Sequence, residues 1–235
     1  MKITIVALFF ACLLLQSCAG GNSIVVEKNA RFTVLTPECI RMEYSQTGNF
    51  VNNASLFAVN REISTDAFKH LTKNDTTIIE TGNMRLYYYP DGQPFSEKNV
   101  RIVIKNNGQD INWVPGTKNS GNLGGTLRTV DQISGKTKLP DGLISTDGWA
   151  LVDDSHRPLF EDNWVKERPE GTAADWYFFG YGRNYKAALK SLTAVAGKVP
   201  LPRKYAFGSW YSRYWPYSTE DYKNIVEEFN KNDFP

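Results

Sequence analysis

From Asn22 to Tyr181, apolar and polar residues alternate in short runs, and the runs are punctuated by turn signals. Phe32 and Val34 share one side of Arg31–Thr36, and Ile40, Met42 and Tyr44 share one side of the run after it. Met84, Leu86 and Tyr88 repeat the spacing, and Arg101–Lys105 repeats it again. A period of two belongs to a strand with one face buried. Gly82-Asn83, Pro90 to Gly92, Asn106 to Gly108 and Asp147-Gly148 supply turns. No helical periodicity interrupts the stretch, so the expected fold is mainly β, an antiparallel β-sandwich. Pro115 to Gly125 holds five Gly or Pro residues and reads as an irregular loop. Its Asn122-Leu-Gly-Gly125 is no phosphate cradle, because it lacks the Lys-Ser/Thr ending and the following helix of a P-loop.

The pattern changes after Gly182. Asn184 is placed to cap a helix whose apolar stripe is Tyr185, Ala188, Leu189, Leu192, Val195 and Ala196, and Gly197 ends it. Val199-Pro-Leu-Pro202 is a stiff connector. Tyr205 to Tyr211 then reads as a strand, and Ser212 to Tyr217 as an aromatic loop. A second helix follows, with Ser218 and Asp221 in a capping-box pattern and Tyr222, Ile225, Val226 and Phe229 along one face. A strand followed by a helix is one βα unit, and a parallel-type strand is buried on both faces by neighbours. That unit therefore asks for more chain.

At the other end, Lys2 precedes an apolar run, Ile3 to Leu15, too short to span a bilayer and suited to a signal-peptide core. Of the three cysteines, Cys12 lies in that run and Cys18 just after it, which leaves Cys39 without an internal disulfide partner. Cys39 opens an alternating run and is expected as a small buried hydrophobe. His70 and His156 stand far apart with no Cys/His cluster, so no zinc site is argued. Lys and Arg number 27 against 25 Asp and Glu, with no basic stripe, which argues against a nucleic-acid partner. The 6 Trp, 12 Tyr and 13 Phe suit sugar stacking, although a β-rich core uses the same residues.

Two resemblances sharpen this reading. Leu15-Gln-Ser-Cys18 resembles the lipobox of bacterial lipoproteins, which implies cleavage before Cys18 and a lipid on its thiol. The mature protein would then be extracytoplasmic and lipid-anchored, on the outer-membrane, periplasmic or cell-surface side. An ordinary secretory peptide with a chance cysteine is the other reading. Separately, Pro200 to Ser218 (PLPRKYAFGSWYSRYWPYS), with Glu220, Glu228-Phe229 and Asp233 to Pro235, resembles the start of the catalytic barrel of glycoside hydrolase family 31. Asn122 to Asp131 and Gly142 to Ser155 are similar to parts of the sandwich that precedes that barrel. The family comprises α-glucosidases, α-xylosidases and relatives.

The apolar run and lipobox set a signal peptide over 1–17, the periodicity a sandwich over 18–182 and a helix and linker over 183–202, and the family resemblance implies the start of a (β/α)8 barrel over 203–235. It implies retaining hydrolysis of α-glucosides or related α-glycosides, with no metal or cofactor, by two aspartates from later barrel strands. Within this chain the adjacent acids Asp153-Asp154, Glu161-Asp162 and Glu227-Glu228 make no convincing acid/nucleophile pair. Asp153-Asp154-Ser155 is expected to end a strand by bonding local backbone, and Glu227 and Glu228 to be solvated beside the apolar face of the last helix. No catalytic residue is therefore assigned here. Catalytic groups of such barrels sit at the C-terminal ends of strands, so the expected sugar-lining residues are Trp210, Tyr211, Arg213 and Tyr214. Asp131 is added from a sandwich loop by the resemblance. The expected partners are an oligosaccharide or α-glycoside and a membrane reached through the lipid. A non-catalytic carbohydrate-binding surface lipoprotein is the main alternative, and a structural or assembly role the second.

Overall fold

The computed structural model describes residues 23–63, 65, 68–106, 108–127, 129, 131–208, 210 and 212–234. The apolar leader with Cys18, and Tyr211 in the tail, lie outside the described residues. In chain order the strands are β1 (Ile24–Glu27), β2 (Ala30–Thr36), β3 (Cys39–Ser45), β4 (Phe68–Lys73), β5 (Thr76–Thr81) and β6 (Met84–Tyr88). There follow β7 (Val100–Ile104), β8 (Ile111–Trp113), β9 (Trp149–Asp153), β10 (Leu159–Glu161), β11 (Trp164–Lys166) and β12 (Thr172–Gly180). The helices are α1 (Tyr185–Ala196) and α2 (Thr219–Lys231), with a 3-10 turn at Lys204–Phe207 between them. No helix among the described residues is long and apolar enough to cross a membrane.

Two five-stranded antiparallel sheets, β1-β2-β3-β12-β9 and β4-β5-β6-β7-β8, make the expected sandwich. The second sheet is a meander of consecutive hairpins, turning at the predicted Gly82-Asn83 and Pro90–Gly92; of the predicted turn at 106–108, residue 107 lies outside the described residues. Its inner positions Met84, Leu86 and Tyr88 are buried, while Arg85 and Tyr87 between them are half-buried. The first sheet is less simple, because β12 inserts between β3 and β9 and joins residues more than a hundred positions apart. Phe32, Met42 and Phe178 of the first sheet and Leu86, Tyr88 and Trp113 of the second meet in one core. Its aromatic rings lie 5.1 Å apart at Phe32–Tyr88 and 4.6 Å at Trp113–Phe178.

The other face of the first sheet is covered as well. Ala188 and Val195 of α1 pack on Leu35, Cys39, Tyr177 and Phe179. Asn184 caps the helix, its Oδ1 accepting from Ala187 N at 3.1 Å, and Gly197 ends it at φ 85°. The last carbonyls of α1 are taken from a distance: Val59 and Asn60 donate their N–H groups to Val195 O at 3.1 and 2.9 Å. The Asn60 amide donates to Ala194 O at 2.7 Å. Gly148 is required where β9 begins. Its φ is +77°, and a Cβ there would stand 2.8 Å from the backbone of Gly182.

The chain divides into two compact units between Gly197 and Lys198. In the second unit the predicted helix forms with its full capping box: Ser218 Oγ accepts from Asp221 N at 3.2 Å, and Asp221 Oδ2 accepts from Ser218 N at 2.8 Å. The described residues of the predicted strand Tyr205–Tyr211 do not form one. Lys204–Phe207 is instead a 3-10 turn, closed by Ala206 N to Arg203 O at 2.9 Å and Gly208 N to Tyr205 O at 3.1 Å. A strand needs a partner to take its backbone groups, and the strand pairings among the described residues are all antiparallel and within the first unit. Local bonds satisfy the segment instead.

Candidate functional site

Of the expected sugar-lining residues, Trp210 and Arg213 are brought together. Both border a groove of about 710 Å³ on the second unit, against Tyr217, Ile225, Phe229 and Phe234. Trp210 stays 76 % exposed while its indole N–H donates to Ala206 O at 3.1 Å, which fixes the ring plane. The Arg213 guanidinium lies 4.3 Å from the centre of the Trp215 ring, a cation–π stack, and it has no carboxylate partner among the described residues. Tyr214 is fully exposed and does not line the groove. Asp131 is an exposed loop residue of the first unit, its N–H donating to Thr129 Oγ1 at 3.1 Å.

Groove acids are engaged locally. Asp221 is held by the Ser218 hydroxyl and N–H, which pull its carboxyl below the ordinary range, and Glu228 pairs with Lys231 at 3.2 Å. Flat exposed rings beside one guanidinium suit a polyhydroxylated ring, with stacking from the aromatics and hydrogen bonds from the fork. They supply no acid/base pair.

Of the paired acids on the sandwich, Asp153, Glu161 and Asp162 behave as local structure, whereas Asp154, expected to bond local backbone, instead has its carboxylate taken by Arg61, Arg168 and the Ser55 hydroxyl. Asp153 Oδ1 accepts from Ser155 N at 2.9 Å, ending β9 as expected. Glu161 binds Lys166 at 2.6 Å, and Asp162 sits in the turn of the β10–β11 hairpin at φ 49°.

The sequence reading missed a charged cluster under the first sheet's covered face. Arg31, Arg41, Arg61 and Arg168 meet Glu43, Asp154 and Asp175, every side chain at most 9 % exposed. Asp175 accepts from Arg41 at 2.7 and 3.0 Å, from Arg61 at 3.1 Å and from Arg168 at 2.7 Å. Burial alone would raise its carboxyl, but Arg41, Arg61 and Arg168 outweigh burial and hold it down at about 2. Asp154 takes Arg61 at 2.6 Å, Arg168 at 3.0 Å and the Ser55 hydroxyl at 2.6 Å. There burial wins, with a contribution from Asp175, and its carboxyl is raised against the pull of Ser55 and the two arginines. Two carboxylates with their values pushed apart resemble an acid/base pair on paper. Geometry decides against it, because both are sealed from substrate and spoken for by guanidinium groups. The cluster ties the 51–61 loop and the segments flanking the β10–β11 hairpin to the sheet.

No family model matches the chain. A stretch of 66 residues, 28 % of the chain and 8 % of the relative, is 36 % identical to alpha-glucosidase 2 of Bacillus thermoamyloliquefaciens. Two structures of a GH31 dextranase from Flavobacterium johnsoniae, a mutant with isomaltotriose and a complex with glucose, superpose at a TM-score of 0.52 and 19 % identity. The likeness covers 93 % of this chain and 32 % of theirs, so the chain spans about a third of the solved relatives and shares that part of their fold. Sandwich and tail together resemble glycoside hydrolase family 31, the family whose barrel start the Pro200–Ser218 motif resembles.

Proposed function

We propose that this chain is the N-terminal part of a retaining α-glycosidase that hydrolyses α-glucosides or related α-glycosides. One observation carries the reading. The first unit holds residues 1–197 of 235, so a likeness over 93 % of the chain reaches into the second unit. A free-standing sandwich has no need of that tail. In the longer protein residues 203–235 begin a (β/α)8 barrel. Tyr205–Tyr211 pairs there as its first strand, and the α2 face of Tyr222, Ile225, Val226 and Phe229 packs inward. Trp210, Tyr211, Arg213 and Tyr214 line the sugar subsite, joined by Asp131 from the sandwich loop. The nucleophile and acid/base aspartates come from later barrel strands, and the chemistry needs no metal. Cleavage before Cys18 and lipidation of its thiol anchor the protein outside the cytoplasm, with its substrate an external oligosaccharide.

The purified chain is expected to give no turnover of an aryl α-glucoside, and the longer in-frame product to give turnover with retention. Turnover by the chain itself overturns this reading. Labelled palmitate is expected on the wild-type protein and absent from Cys18→Ser. The alternative, a non-catalytic carbohydrate-binding surface lipoprotein, is favoured by Trp164, which stands 77 % exposed on the β10–β11 hairpin. Glycan-array binding lost in Trp164→Ala, from a gene with no downstream barrel, supports that alternative.

A further inference from the structure

One concavity of the sandwich unit has no role in the reading above. It measures about 820 Å³, within the range of small-molecule sites. One wall is β9, an edge strand of the first sheet. Tyr181 N donates to Gly148 O at 3.0 Å, and Asp154 N donates to Asp175 O at 2.9 Å. By the alternation of an antiparallel ladder, positions 148, 150, 152 and 154 face β12, while 149, 151 and 153 face away from it. The Asn119 amide takes the outward Trp149 O at 3.1 Å. The outward N–H and C=O of Leu151 and Asp153 pair with no strand among the described residues, and both residues border the cleft.

The opposite wall is pre-formed. Asn122 Oδ1 accepts from Gly124 N at 2.9 Å and Gly142 N at 2.8 Å, and its amide donates to Gly142 O at 2.9 Å. The two loop arms approach so closely that a Cβ on Gly142 would collide with Gly124 O. Phe57, Leu143 and Leu192 give the cleft an apolar part. Lys118 and Arg157 stand against Asp141 and Asp153 on its rim, all four exposed. Two cations against two carboxylates give no net field for an anionic or cationic ligand. Outward backbone groups that both donate and accept, beside apolar carbon, match the alternating hydroxyls and C–H faces of a sugar. Strand addition by a peptide is disfavoured, since Asn119 occupies the first outward carbonyl and leaves two residues of open edge.

We propose that this cleft is a second sugar-binding site, taking a neutral oligosaccharide alongside β9, apart from the groove of Trp210 and Arg213. Its location rests on the geometry alone; the expectation of α-linked glucose units rests on the glycosidase reading.

The test is a titration of the ¹⁵N-labelled chain with isomaltotriose, maltotriose and cellotriose, followed by amide shifts. Shifts are expected at Leu151, Asp153 and Lys118 with the α-linked sugars. Lys118→Ala and Asp141→Asn, both at exposed positions, are expected to weaken binding about tenfold each. Binding unchanged by these variants, with shifts confined to the tail around Trp210, overturns the cleft and leaves the glycosidase reading standing. Cleft-dependent binding of cellotriose in preference to both α-glucans keeps the cleft and overturns the α-linked expectation. Shifts along β9 that grow with protein concentration, without sugar and with a doubled mass, show pairing with a second copy and overturn the proposal. Absence of any sugar-induced shift overturns it too.

Discussion

Replacing Asp175 by asparagine removes the charge on which three buried arginines converge, Arg41, Arg61 and Arg168. The carboxyl is moved from an ordinary 3.8 to about 2, and its side chain is 1 % exposed, so solvent screening takes little away. At 1.36 kcal/mol per unit, the ionised form is favoured in the fold by roughly 2 kcal/mol. Asparagine does more harm than a proton, because its NH2 faces guanidinium donors where an acceptor stood. The expected loss is therefore about 3–5 kcal/mol, that of breaking one partner out of a buried pair. Against a typical total of about 5–15 kcal/mol this is about a fifth of the stability or more. The assay is urea unfolding at neutral pH, followed by fluorescence of the buried Trp113 and Trp149.

The sign with pH follows from the same shift. A depressed carboxyl stabilises the fold above its unfolded value of 3.8, and that contribution drains away as pH falls toward about 2. Asp154 is raised, so its effect runs the other way, costing stability as pH climbs through its value and returning it on acidification. Wild type should accordingly lose stability between those two pH values on account of Asp175, and Asp175→Asn should lack that loss. High salt should leave the difference between the proteins intact, because buried pairs are poorly screened. A loss under about 1 kcal/mol, or one that disappears in high salt, refutes the account of the cluster as a buried tie.

Gly148→Ala should destabilise by about 1–3 kcal/mol in the same assay, since φ +77° and the Gly182 backbone both oppose a Cβ; a neutral result would refute the close approach. Asn184→Ala should cost about 1 kcal/mol by loss of the α1 cap. Ser218→Ala should lower the helical circular dichroism of α2 on the same grounds, and no change would show the capping box to be idle. Cys39 is fully buried, and burial first, then Glu38, pushes its thiol well up. Iodoacetamide should leave Cys39 untouched in the native protein and label it in urea, as seen by mass spectrometry.

The sandwich was legible because its inner residues obey a two-residue period that backbone geometry imposes whatever the surroundings. Met84, Leu86 and Tyr88 show this directly, and so do the caps at Asn184 and Ser218, which are local chemistry within one helical turn. The charged cluster was not legible for the opposite reason. Arg41 and Asp175 lie 134 positions apart, and Arg31, Arg41 and Glu43 carry the polar half of an alternation that a solvated face displays equally well. Whether that face is wet depends on α1 and the 51–61 loop, which the strands themselves do not encode. The missing strand at Tyr205–Tyr211 is a related case: its composition suits a strand, while its backbone partners must come from elsewhere. Trp210 and Arg213 were named by resemblance, and the β9 cleft was reached by neither route, because it consists of outward backbone groups that every sequence possesses.

The insertion of β12 between β3 and β9 also sets the order in which this protein can acquire structure. The hairpins of the second sheet need only neighbours a few residues away and can close within microseconds. Strands β1 to β3 pair just as locally, but β3 then presents an open edge until β12 has been made and has travelled back to it. Closing so long a loop precedes any reward from the contacts it brings, so completion of the first sheet is the slow step, on a scale of milliseconds to seconds. During that interval the bare edge of β3, carrying Ile40 and Met42, is the surface most open to pairing with another chain. Substitutions in β12 should therefore slow folding and raise aggregation together, whereas equal losses of stability in β6 or β7 should leave the folding rate nearly unchanged.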